Sequence, residues 1–463
     1  MRTDSLRRLT RLLLPLLLGG LCAFALGCQS TLPGLQLPSS PTQPAPGATS
    51  SAATATPTAA SPQASPPPPQ TGDRDNEQAL DPQTRPITLT LWTIERFSPQ
   101  AEGEPGQIMA TGLKVFANTY PHLNIEVLLK KPYGQGGILD FLRTAKEVAP
   151  SVLPDLVFID IAELPPAWRA ELLQSLDGRL DRNVVGDLHP AAQNVGSVDG
   201  HLVGVPFEMG LSHLVYNTSK VASPPLLWTD VLSQNVRYAF PAKSQNGQVN
   251  DALLAQYLAA GARLQDDEGA PIIDEPALRA LLEFYAAAVE AEIIDASLLE
   301  AAQTDDLWPV YLNAEVGLVN ASAHRYLADR GRLSSSSVSS LPTRNGVPVN
   351  IARGWAMAIV TDDPARQVEA LRFIEWFTAP DRLATWNRSV GYIPTRISAL
   401  AMMDDGDPYW AFVEEQLNFV QPRPSFAGYD LLARILHEAI AAVISGEATP
   451  EEALVIATGA LNP

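Results

Sequence analysis

The chain has 463 residues, 46% of them hydrophobic, enough to bury a large core and long enough for more than one domain. Its 51 acidic residues outnumber 32 basic ones for a formal net charge of −19. That balance excludes a nucleic-acid partner, because a polyanion needs a clustered basic patch to release its counterions.

The N-terminus has a role separate from the fold. Arg2, Arg7, Arg8 and Arg11 make a basic start, residues 12–26 are an apolar run, and Ala25-Leu26-Gly27-Cys28 closes it. A run this short, ending in small residues, reads as an export signal over 1–27 rather than a spanning helix. The closing tetrapeptide resembles a bacterial lipobox, with Ala25 where Leu is usual. The resemblance implies that Cys28 is acylated and anchors the chain to the membrane of a bacterial cell envelope. Cys22 leaves with the signal, so Cys28 is the only cysteine of the mature chain and no intramolecular disulfide forms. Residues 28–85 are rich in Pro, Ser, Thr and Ala. They cannot bury enough apolar surface to order themselves and read as a disordered tether.

From "ITLTLWT", residues 87–93, strand and helix patterns alternate. "GQIMATGLKVFANTY" has helical spacing, "LNIEVLL" is a strand, "GGILDFLRTAKEV" a helix and "DLVFIDI" a fully apolar strand. Strands separated by helices predict an α/β fold with a parallel sheet covered by helices. From Asp251 onward the pattern is mostly helical. Chemistry in such sheets gathers at the carboxyl ends of strands, which points to Glu95 and Arg96, to Asp160 through Glu163, and to Glu208. The stretch "LVGVPFEMGLSHLVYN", residues 202–217, interrupts a strand with Pro, Glu and Gly, as a chain crossing between two lobes would.

Several ordered stretches together resemble the family 1 extracellular solute-binding proteins, the maltose-binding-protein-like receptors of ABC importers. They are "ITLTLWT", "LPDLVFIDIAEL", "VDGHLVGVPFEMGLSHLVYNTSKV", "YLNAEVGLVNASAHRYL", "ARGWAMAIVTDD", "GYIPTR" and "ISGEATPEEAL". The resemblance implies a two-lobed, type II-like periplasmic-binding-protein fold with crossing hinge strands near 206–216, 351–358 and 391–396. Lobe 1 would then comprise 86–207 plus about 351–394, and lobe 2 about 208–350 plus 395–463. It also implies a monomeric receptor outside the cytoplasm that captures a small solute by hinge closure and hands it to ABC permease subunits, without cofactor or catalysis. A carbohydrate or polyol is the first solute class, and an organic anion or phosphorylated polyol the second because of Arg353. The alternatives are a sensing protein docked on a membrane receptor and an exported glycoside hydrolase.

Candidate contacts follow residue by residue. Glu95 and Arg96 could bond a polar ligand or form a solvated pair. Asp160 and Glu163 occupy the loop where maltose-type members place an aromatic and an acid–base pair, a departure that counts against maltodextrin. Glu208 is expected to face the cleft. Ala323 stands where the family presents Trp, leaving His324, Arg325 and Tyr326 as substitutes. Arg353 offers a planar fork of donors, Gly354 permits close backbone approach, Trp355 belongs to cleft or core, and Tyr429 lies where the family often uses an aromatic. Trp92 reads as packing and Asp155 as a structural turn residue. Ser212 beside His213 lacks the nucleophile-elbow pattern. "YGQGGIL" is no Walker loop, though a backbone anion nest there is open. The six His show no metal-ligand spacing.

Overall fold

The computed structural model describes residues 86–461; the signal, Cys28 and the tether lie outside the described residues. The principal elements begin with β1 (Ile87–Thr93), α1 (Gly103–Thr119), β2 (Leu123–Leu129), α2 (Ile138–Val148) and β3 (Leu156–Asp160). After short helices come β4 (Val205–Gly210), β5 (Ser212–Asn217), β6 (Tyr238–Ala239), α3 (Asp251–Ala259), α4 (Glu275–Glu290), β7 (Leu318–Ser322), α5 (Ala323–Asp329), β8 (Ser336–Ser339) and β9 (Asn350–Ile351). The remainder is β10 (Arg353–Ile359), α6 (Pro364–Phe377), α7 (Pro380–Val390), α8 (Pro408–Leu417), β11 (Val420–Gln421), α9 (Tyr429–Ile444) and α10 (Pro450–Leu461).

Two sheets result. The first has the order β2-β1-β3-β10-β4, with β1 parallel to β2 and β3 and with β10 antiparallel to both its neighbours. The apolar run of β3 is central, and Leu156 through Ile159 are all buried, as a strand covered on both faces requires. Helix α2 supplies part of that cover by burying Ile138, Leu139, Leu142 and Ala145, one stripe at helical spacing. Asp155 is structural, as the sequence suggested. Its Oδ2 accepts the Thr90 N–H at 2.7 Å, and both its oxygens meet the Arg366 guanidinium at 2.5 Å. The second sheet has the order β8-β5-β7-β6.

Two hydrophobic cores match the two sheets, and they revise the lobe boundaries. The first core runs from Leu89 to Leu211, takes in Ala323, and resumes from Ala352 as far as Val420, including Trp410, Val413 and Leu417 of α8. The second holds Leu214 to Ile351 and then Tyr429 to Ala457. The third crossing expected at 391–396 therefore lies instead at β11. "GYIPTR" stays with the first lobe because Ile393 exchanges both backbone hydrogen bonds with Met209 at 2.9 Å, and Arg396 pairs with Asp187 at 2.7 Å. The second and third crossings run side by side, β9 pairing with β11 in parallel, with Asn350 opposite Val420.

Gly354 sits where the first and second crossings meet. Its φ is +148°, and a Cβ there would stand 2.1 Å from the Glu208 carbonyl oxygen, so only glycine lets these strands approach.

Candidate functional site: the interlobe cleft

The crossings form the floor of a cleft. Met209 to Ser212 and Asn350, Ile351 and Arg353 come from the crossings and Gly391–Tyr392 from the first lobe, while Asp251, Thr304, Asp305, Asn320 and Ser322 come from the second lobe. They enclose a cavity of about 140 Å³.

The charged groups of this floor are mutually engaged. Asp251 opens α3, where a carboxylate complements the helix dipole. Its Oδ2 accepts from Arg353 Nε at 2.8 Å and its Oδ1 from Arg423 Nη1 at 2.7 Å. Arg353 Nη2 also donates to Gln245 Oε1 at 3.3 Å. The fork anticipated for a ligand thus reaches across to the second lobe. Asp305 takes Arg325 Nε at 3.1 Å and Nη2 at 2.7 Å. The uncharged groups Ser212, Thr304, Asn320, Ser322 and Asn350 line the same cavity.

The first-lobe wall stands at the carboxyl ends of β2 and β3. The Tyr133 hydroxyl donates to Asp160 Oδ2 at 2.5 Å, and the Ala162 N–H to Asp160 Oδ1 at 2.8 Å. Burial raises the Asp160 carboxyl above its usual range despite these bonds. Burial first, and then the Asp160 charge, push Glu163 up to about 7, with Arg143 opposing. Tyr133 is half exposed, and its ring centroid lies 6.1 Å from that of Trp355. Trp355 itself is buried in the first core, 5.5 Å from Phe97.

Three expectations need correction. Glu208 does not face the cleft: it is fully buried, its Oε1 paired with Arg96 and its Oε2 accepting from Trp386 Nε1 at 3.0 Å. The reason is that β4 is covered on both faces, so all of Val205 to Met209 is buried and alternation exposes none of it. Tyr429 packs in the second core at the start of α9, on the stripe of Leu432, Ala433 and Leu436. Tyr326 turns behind the hinge, 4.8 Å from Tyr409 and 5.5 Å from His213.

The other candidates are placed as follows. Glu95 is exposed on a single turn. Arg96 lies 4.7 Å from the ring centroids of both Phe97 and Tyr392. His324 lines the cavity, stacked on Tyr392 at 5.3 Å, with its Nδ1 2.6 Å from the Val390 carbonyl oxygen. The neighbouring Ser212–His213 pair forms no catalytic couple. The ring nitrogens of His213 contact the Leu214 carbonyl at 3.2 Å and the Tyr409 hydroxyl at 3.1 Å, and burial pushes the imidazole down to about 4.

Sequence reasoning passed over Tyr133, Asp251, Asn350 and Tyr392. Tyr133 was reachable by the strand-end rule that singled out Asp160. Asp251 follows Asn250 as an ordinary helix start, a pattern that carries no mark of a site.

The sequence profile described as bacterial extracellular solute-binding protein matches residues 124–412. The chain belongs to that family. Its place of action is therefore extracytoplasmic, and among the described residues no helix is long and apolar enough to cross a membrane. No curated protein sequence matches significantly. Among solved structures, this solute-binding protein is similar to the cyclic α-maltosyl-1,6-maltose binding protein of Arthrobacter globiformis, with 18% identity, a TM-score of 0.66, and coverage of 81% of this chain and 98% of that one. Maltose-bound MalE3 of T. maritima gives 18% identity and a TM-score of 0.64 over 81% of this chain and 99% of that one. A solute-binding protein of Thermotoga lettingae bound with α-D-tagatose gives 21% and 0.61 over 81% and 98%. These likenesses establish the two-lobed fold, and the family and these neighbours are binding proteins rather than enzymes. A larger hollow of about 400 Å³ lies on the flank of the first lobe between α1 and the α6–α7 pair, lined by Ile108, Trp376 and Phe377. Phe207 of β4 and Trp386 of α7 also line it, all of them first-lobe residues, whereas the cleft cavity takes its lining from both lobes.

Proposed function

We propose that the protein captures a neutral carbohydrate or polyol between its lobes and delivers it to an ABC importer, the lobes closing about the three crossings. The observation that carries this reading is the pairing of charge on the cleft floor. Asp251 is satisfied by two arginines and Asp305 by a third, so an ionic ligand would have to break these pairs, while hydroxyls find uncharged partners and the open face of Tyr133. Sugars combine apolar C–H faces with a rim of hydroxyls and suit such a lining. An anionic solute lost its main support when Arg353 proved engaged by Asp251 and Gln245. The structural neighbours named with maltose or tagatose agree with the carbohydrate class.

The floor cavity is smaller than the roughly 300–1,000 Å³ usual for small-molecule sites, so one ring end of the ligand rests there and the remainder extends toward Tyr133 and Asp160. An acylated Cys28 and the tether 28–85 would hold this receptor outside the membrane as a monomer within reach of its permease. A thermal-shift panel of the mature chain tests the reading: a true sugar at about 100 times its Kd adds about 2.7 kcal/mol of stability. Stabilisation by organic anions alone would refute it.

A further inference from the structure

Asn350 combines three relations that no other residue of the cleft shares. It lies on the second crossing and is only 3% exposed. Its backbone N–H donates to the Phe419 carbonyl at 3.0 Å, joining it to the third crossing, and its Oδ1 accepts the Ser212 N–H of the first crossing at 3.3 Å. The other arm of the amide, Nδ2, is buried and has no partner. The amide cannot be turned over, because Nδ2 would then face the Ser212 N–H, donor against donor.

Buried polar groups are almost always bonded, and each exception calls for a reason. Among the described residues nine side chains bury an unpartnered polar atom, and Asn350 is the one among them that lines the cleft cavity. The cavity lining it shares holds the uncharged Ser212, Asn320 and Ser322, and its charged members Asp251, Asp305 and Arg353 are already paired. A fixed donor in that setting matches an uncharged oxygen, either a sugar hydroxyl or a ring oxygen.

We propose that Asn350 is the residue that reads the ligand at the base of the cleft, its Nδ2 donating to one oxygen of the bound sugar. The inference rests on the carbohydrate reading given above and sharpens it to a single recognised atom. Because the same side chain holds the first crossing and its backbone is bonded to the third, ligand contact and hinge geometry meet in one residue. A site built to bond a given oxygen strongly rejects the analogue that lacks it.

The test uses the mature chain, with maltose, mannotriose, D-tagatose and D-mannitol as probes in isothermal titration. The best binder is then compared with its monodeoxy analogues on the wild type and on Asn350→Ala, with Asn350→Ser as a second variant that keeps an oxygen for the Ser212 N–H. One monodeoxy analogue is expected to bind the wild type at least tenfold more weakly than its parent, and that difference is expected to vanish in both variants. Structural damage alone would weaken parent and analogue equally, so an unchanged ratio in the variants overturns the assignment. If none of the four probes binds the wild type, the carbohydrate reading itself falls and takes this inference with it.

Discussion

Glu208 and Glu163 show how far a carboxylate's surroundings decide its role. Glu208 is fully buried, with Arg96 and Trp386 as partners. Glu208→Ala takes the acceptor from the buried Trp386 Nε1 and the partner from the part-exposed Arg96, so it should cost about 1–3 kcal/mol in chemical denaturation. An unchanged unfolding midpoint would contradict that account. Glu163 is raised to about 7 by burial and by Asp160, so between its ordinary range and about pH 7 the folded chain holds a proton that the unfolded chain has lost. Stability contributed by this group is therefore fully present at low pH, declines as pH rises through that window, and is lost above about 7. Urea midpoints at pH 5 and pH 8 should differ less in Glu163→Gln than in the wild type; equal differences would mean Glu163 titrates normally. The strand-end rule made Asp160 and Glu163 legible because their position on β3 follows from periodicity. Glu208 obeyed the same rule and was misplaced, since nothing local reveals that β4 is covered on both faces. Asn350 was invisible, because its role depends on three segments that are distant in sequence.

Among the elements, the crossings were the hardest to read. Long strands and amphipathic helices declare themselves by their period, and the order from β1 to β3 was legible throughout. β9 and β11 have two residues each, too few for any period, and they are defined only by pairing with each other. The "GYIPTR" segment resembled a crossing, yet Ile393 and Arg396 bind it to the first lobe. Where the first and second crossings touch, Gly354 is indispensable. Gly354→Ala combines a positive φ with a Cβ 2.1 Å from the Glu208 carbonyl oxygen, and it should destabilise by well over about 1 kcal/mol. A melting temperature equal to that of the wild type would show that the strands can separate freely.

For the whole molecule, the separation of two cores makes hinge motion possible, and the proposed anchor would fix where it happens. On the proposed lipid attachment, Cys28→Ser should move the protein from the membrane fraction to the soluble one, and continued retention would refute the anchor. The late third crossing has a further consequence, for the order in which the chain can fold. The first lobe needs Leu89 together with Leu417 and Val420, and the second needs Leu214 together with helices that end near Leu461. Neither core can be completed until nearly the whole chain has been synthesised. Domains fold as units once their residues are available, so this topology delays compaction in the cell that makes it. A precursor slow to become compact remains threadable, which suits a member of an extracellular family that has to cross a membrane before it folds.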